Sequence, residues 1–225
     1  MRASAVLALV ILPVALGALG CAHDMEVLNL QDYAHPAVFR DNDTKFDLAV
    51  AKSSIDPAAM WLSNAVEREL SSRREVGHFN TEVKPGTKFS PTSYVLSIDP
   101  TISFDTSGWN FIVNWPGGFI FAPAWHGYNY VANISTIVAI HDANGQSLRE
   151  IKVDTPYYFR HADFGRCWWP IFQFNLFGNL IGGVYTSLSY DDDATTPFQR
   201  AVEQNYASFV ADRLLDALYD LKPST

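Results

Sequence analysis

Residues 132–159, ANISTIVAIHDANGQSLREIKVDTPYYF, carry the pattern on which the fold turns. Two runs of alternating apolar and polar residues flank Asn144-Gly145. Alternation at period two puts every second side chain on one face of a strand, and an Asn-Gly pair tolerates the positive φ of a tight reversal. The segment therefore reads as a β-hairpin, with Ile134, Ile137 and Val138 expected opposite Leu148, Ile151 and Val153.

Upstream, Tyr94 to Phe104 (YVLSIDPTISF) alternates well enough for a strand. Pro100 lacks an N–H, so this strand is expected at an edge or interrupted. Lys45 to Ile55 (KFDLAVAKSSI) is short and apolar, the mark of a buried strand. Asp56 then offers a capping oxygen and Pro57 a preset first turn, after which Trp61, Leu62, Ala65, Val66 and Leu70 recur at helical spacing. An amphipathic helix over 57–74 follows, and a further short strand is expected around Val76 to Val83, before the Pro85-Gly86 turn.

At the other end, Asp193 to Thr196 supply capping oxygens and Pro197 a first turn. Phe198, Val202, Phe209, Val210, Leu214, Leu218 and Leu221 form an apolar stripe. This is a helix of about six turns. Strands in the middle with helices after the first strand and at the end imply an α+β fold: a mainly antiparallel sheet, helices on one face, a central β-hairpin and long aromatic-rich loops.

The chain of 225 residues is 48% hydrophobic and 18% charged, enough to bury a core, and a single domain over 45–221 is the simplest division. Its formal net charge is −8 and no block of Lys or Arg occurs, so it lacks the basic footprint that neutralises phosphates. Nucleic acid is not an expected partner.

Residues 1–20, MRASAVLALVILPVALGALG, run from a basic start at Arg2 through an apolar stretch to small residues before Cys21. That order belongs to an export signal, and its apolar part is short for a spanning helix. Ala18-Leu19-Gly20-Cys21 resembles the lipobox of bacterial lipoproteins, with Ala18 where Leu is commoner. The resemblance implies cleavage before Cys21 and a diacylglyceryl group on its thiol, so that membrane lipid becomes a partner. Residues 21–44 then serve as tether and lead-in. Ala22, where Asp would favour inner-membrane retention, implies the outer membrane, with the domain facing the periplasm. Plain secretion with an incidental cysteine, or an uncleaved anchor, are the alternatives. With only Cys21 and Cys167 present, either Cys21 is lipidated and Cys167 stays free, or the two pair.

Two segments fit ordinary core logic poorly. One is Trp109 to Tyr130, WNFIVNWPGGFIFAPAWHGYNY; the other is Phe164 to Tyr190, FGRCWWPIFQFNLFGNLIGGVYTSLSY. They flank the hairpin and hold five of the six tryptophans. Pro and Gly punctuate both, which rules out a regular spanning helix. They read either as loops covering the sheet or as a surface for a membrane or a partner, since Trp and Tyr suit the boundary between water and lipid. The candidate contact residues are Trp109, Phe111, Trp115, Phe119, Phe121, Trp125 and Tyr128 in the first, and Trp168, Trp169, Phe172, Phe174 and Phe177 in the second.

The order of elements, Cys21 and the paired hydrophobic inserts are together similar to a group of small α+β outer-membrane lipoproteins. That group includes the curli-secretion lipoprotein, the exopolysaccharide-export lipoprotein and the activators of penicillin-binding proteins. The likeness spans about residues 45–221 as an arrangement, with Cys21 its one motif. It implies non-enzymatic work as an envelope accessory, assembly or secretion component, with an envelope protein or further copies of itself as partner. In the pore-forming members two comparable segments become transmembrane strands, whereas the inserts here are richer in Pro and Gly.

No catalytic residue, metal ligand or cofactor is expected. HxxxH, paired CxxC, GxSxG and a phosphate-binding glycine loop do not occur. Asp191-Asp192-Asp193 reads as a solvated flank favoured by a helix N-terminus, and Cys167 as a packed thiol. The competing readings are an envelope hydrolase or metal-dependent enzyme, which needs His126, His161 and Asp163 in one cleft, and an apolar-ligand binder, whose inserts would line a closed pocket.

Overall fold

The computed structural model describes residues 25–34, 44–51, 56–81, 93–110, 127–162 and 189–221. Its elements are β1 (Met25–Val27), β2 (Phe46–Val50), α1 (Met60–Ser72), β3 (Val76–Asn80), β4 (Ser93–Thr106), β5 (Tyr128–His141), β6 (Ser147–His161) and α2 (Thr195–Leu221). The strands form one six-stranded sheet in the order β1-β6-β5-β4-β2-β3. The fold is α+β, as the pattern of elements implied.

The sheet is mixed. The β5–β6 hairpin and the β1–β6 pair are antiparallel, but β2 runs parallel to both its neighbours, with Leu48 level with Phe79 on β3 and Tyr94 on β4. The strand–helix–strand order of β2, α1 and β3 accounts for one of those pairings, because a crossover helix brings the chain back in the same direction. A strand covered on both faces has little room for polar residues, and Phe46, Leu48, Ala49 and Val50 are all buried.

The chain divides into two compact units. One comprises Asn29–Ser103, Asn133–Tyr157 and Gln199–Thr225. Its core joins β2 to Leu62, Val66 and Leu70 of α1, Val138 and Ile140 of β5, and Val210, Leu214 and Leu218 of α2, each at most 2% exposed. Burying each such side chain contributes about 1.5–3 kcal/mol. α1 lies beside α2. Arg73 joins them, its guanidinium 2.9 Å from Glu69 on its own helix, 3.3 Å from Asp212 and 2.8 Å from Ser208 Oγ on the other. α2 in turn reaches the sheet where the Tyr206 hydroxyl meets Thr136 Oγ1 of β5 at 2.5 Å, with both residues wholly buried.

Several expectations are revised. β4 continues through Pro100 and lies between β5 and β2, not at an edge. β2 accounts for this: its register on β4 ends at Leu96, whose carbonyl accepts the Ala51 N–H. Leu96 and Pro100 are four residues apart in an extended strand, so the missing Pro100 N–H faces the same side, beyond the last β2 partner. In the hairpin, Ile134, Val138 and Val153 are buried, whereas Ile137 is 39% and Leu148 41% exposed. Ile137 sits an odd number of places from Ile134 and so on the opposite face.

The reversal is also longer than an Asn-Gly turn. Gly145, at φ +83°, is its only left-handed residue. Asp142 closes it by accepting the N–H groups of Asn144 and Gln146 on one carboxylate oxygen. Those bonds, the Gln146 one foremost, hold the Asp142 carboxyl below its usual range. The third strand ends at Asn80 instead of Val83, and the described part of the lead-in contains β1 and a tight turn at Leu30–Tyr33. Ahead of α1, Asp56 Oδ1 accepts the Ala58 N–H, closing a turn that leads into the helix at Met60.

Candidate functional site

The second unit comprises Met1–Leu28, Phe104–Ala132 and Tyr158–Phe198. It holds the chain on either side of both aromatic inserts, and the described residues bring those flanks together. β4 carries the chain to the first insert through a turn at Ser107–Asn110. Asn110 is wholly buried and clasps the returning strand at Asn129. Its amide nitrogen donates to the Asn129 carbonyl at 2.8 Å, and its oxygen accepts the Asn129 N–H at 2.7 Å.

The first insert returns at Gly127, and β6 hands the chain to the second at Ala162. These two points touch. Gly127 has φ +72°, and a β-carbon there would lie 3.0 Å from the carbonyl carbon and oxygen of His161 and 3.1 Å from the Ala162 nitrogen. Only glycine combines that dihedral with that closeness.

The second insert returns at Tyr190, whose ring stacks on Phe104 with centroids 4.4 Å apart and planes 12° apart. Tyr190 also meets Tyr130 edge-on at 5.2 Å. Phe159 lies 5.4 Å from Tyr130 and 4.6 Å from Phe198, the fourth residue of α2, so one aromatic cluster anchors three strands and a helix start. Burial raises the Tyr190 phenol to about 12. Pairs of this geometry contribute about 0.5–1.5 kcal/mol each beyond the area they bury.

Beside the cluster, His161 at the end of β6 is 1% exposed, and its Nδ1 lies 3.8 Å from Asp191 Oδ2. The acidic run thus divides. Asp192 and Asp193 are exposed as expected of a helix flank, but Asp191 is buried and its backbone carbonyl accepts the Ala194 N–H in the turn into α2. Thirty residues separate His161 from Asp191 in the sequence, across the second insert, and no local spacing signals their meeting. β1 adds a rim, with Met25 paired to His161 and Glu26 ion-paired with Arg160.

Of the residues singled out for contact, Trp109 is 68% exposed on the turn leading into the first insert, while Tyr128 is wholly buried in the root. Phe111, Trp115, Phe119, Phe121, Trp125, Trp168, Trp169, Phe172, Phe174 and Phe177 lie outside the described residues, as do Cys21, Cys167, His126 and Asp163. Sequence reasoning missed Asn110 and Gly127, whose only signal is an Asn or Gly inside an aromatic stretch, and it placed Asp191 in a solvated flank where the structure buries it. Among the described residues no three His, Cys, Asp or Glu side chains gather as metal ligands, and no helix is long and apolar enough to cross a membrane.

The fold and this root define the class: an α+β protein with a mixed sheet, in which the described flanks of two long inserts meet at one end of three adjacent strands. No family model matches the chain, and no curated protein matches it. Among solved structures it is similar to the rare lipoprotein B of Shewanella oneidensis, at 11% identity and a TM-score of 0.40, over 78% of this chain and 95% of that one. It is also similar to a minor lipoprotein of Acinetobacter baumannii, at 12% identity and a TM-score of 0.32, over 71% of this chain and 93% of that one.

Proposed function

We propose that this chain is a lipid-anchored component of the bacterial envelope. In this reading Cys21 carries the lipid, the α+β part is a non-enzymatic scaffold, and the two aromatic inserts make contact with a membrane or an envelope partner. The observation that carries the reading is the convergence of all four insert flanks on one root: Asn110 on Asn129, Gly127 on His161, and Tyr190 on Phe104. Loops placed only to cover a core have no need of a common foundation. Segments that act together on one surface do, because a rigid base lowers the entropy lost when they bind.

The finer form of the reading places the chain at the outer membrane, facing the periplasm, as an accessory, assembly or secretion component like the lipoproteins of curli export or penicillin-binding-protein activation. Two experiments test it. Cys21→Ser should move the protein from the membrane fraction to the soluble periplasmic fraction; unchanged membrane attachment rules out the lipid anchor. Replacing residues 111–126 with a short Gly-Ser linker should shrink the detergent-extracted assembly while the melting temperature stays within a few degrees. If assembly size and membrane association both stay the same, the inserts are inert covering.

A further inference from the structure

β6 is flanked by β5 on one side, and on the other by β1 only along Phe159–His161. Below that, the Pro156 carbonyl accepts from Asn29 Nδ2 and the Tyr33 hydroxyl, at 2.8 and 2.9 Å. From Leu148 to Asp154, no described residue pairs with the outer edge. Burial alternates strictly from Leu148 to Tyr157, so the strand is regular there, and the Pro156 carbonyl fixes the parity. Leu148, Glu150, Lys152 and Asp154 therefore aim their N–H and C=O groups outward.

An edge that no described residue pairs invites another strand, and its charges decide which one. Read against its own reverse about Ile151, the stretch pairs Glu150 with Lys152 of a second copy and Lys152 with that copy's Glu150. Those are outward-aimed residues and so the hydrogen-bonded pairs of an antiparallel ladder, which leaves Ile151 opposite its own counterpart at a non-hydrogen-bonded position. The centre is the midpoint of the open stretch; moving it two residues along, to Val153, would put Pro156, which has no N–H, into the ladder. A groove of about 470 Å³ between β6 and α2 borders the same edge, and six of its ten lining residues are charged, Lys152 and Asp154 of the edge among them.

We propose that two copies of this chain join through the Leu148–Asp154 edge of β6, antiparallel and centred on Ile151, into one continuous sheet. The inference does not rest on the functional reading above.

The test is sedimentation equilibrium of the full-length chain in detergent across a concentration series. The wild type should be a dimer. Glu150→Lys sets two lysines face to face at both symmetric positions, and Lys152→Glu sets two glutamates there, so each should weaken dimerisation at least about 10-fold. The double substitution exchanges the charges and should restore the wild-type constant. A monomeric wild type, a dimer indifferent to the single substitutions, or a double variant that fails to recover would each overturn the proposal. Circular dichroism of all four proteins should coincide, since Glu150 and Lys152 are exposed.

Discussion

Gly127 packs against the carbonyl of His161 so closely that a β-carbon there would lie 3.0 Å from it, and the backbone would have to give by a few tenths of an ångström. The contact joins the end of one insert to the beginning of the other. Gly127→Ala has to accept a left-handed dihedral, at about 1–2 kcal/mol, as well as overlap with main-chain atoms that cannot swing aside. Gly145 provides the control, because at φ +83° it has the same backbone need but open space around it. Urea unfolding should therefore show Gly145→Ala losing about 1 kcal/mol and Gly127→Ala at least about twice that. Equal losses would mean that the His161 contact does not constrain the root.

The neck of the first insert depends on Asn110. Asn110→Ala removes the acceptor of the Asn129 N–H but leaves the Asn129 carbonyl its second donor, the Ser107 N–H at 3.0 Å. One part-buried donor is thus stranded, which costs about 1 kcal/mol. Amide hydrogen exchange should localise the effect: Asn129 should lose protection while the amides of α1 keep theirs. A uniform rise across the protein would instead mean that Asn110 supports the whole fold.

The sequence makes the hairpin, α1, β2 and α2 legible because each has a repeating apolar pattern that burial then satisfies. It conceals β1, which is three residues long and owes its structure to pairing with the end of β6. Pro100 misleads because a proline reads as an edge residue, and edge character belongs to one side of one stretch of a strand, here the stretch beyond Leu96. The root of the inserts is hidden for a different reason. Its defining contacts, Gly127 with His161 and His161 with Asp191, join residues about thirty apart with no spacing rule between them. What could be read was that two aromatic segments are unusual; where their ends meet could not.

The buried hydroxyl pair of Thr136 and Tyr206 fixes the height of α2 on β5. Tyr206→Phe leaves Thr136 with a hydroxyl and no partner at full burial, and should destabilise by about 1–3 kcal/mol. Thr136→Val does the reverse, and burial already holds the Tyr206 phenol neutral well above its ordinary range. The double variant replaces both hydroxyls with apolar groups of similar shape and should recover most of either loss. Additive losses in that cycle would show that the two side chains act independently.

Tyr190 ties the end of the second insert to α2, its hydroxyl 3.1 Å from Thr195 Oγ1. Burial raises its phenol from 10.0 to about 12; the Thr195 bond opposes the rise, and the charges of Asp191 and Asp192 add to it. A folded-state value above the unfolded one means that the fold favours the neutral form. That contribution is complete below pH 10 and is lost as pH rises from 10 towards 12. In an absorbance titration at alkaline pH, Tyr190→Phe should therefore remove a phenol titrating near 12, not one near 10. The same variant keeps the ring against Phe104 and loses only the Thr195 bond, so at neutral pH it should be less stable than the wild type by about 0.5–1.5 kcal/mol, a gap that narrows across the alkaline window. A phenol missing near 10 instead would place Tyr190 in water and detach the second insert from the root.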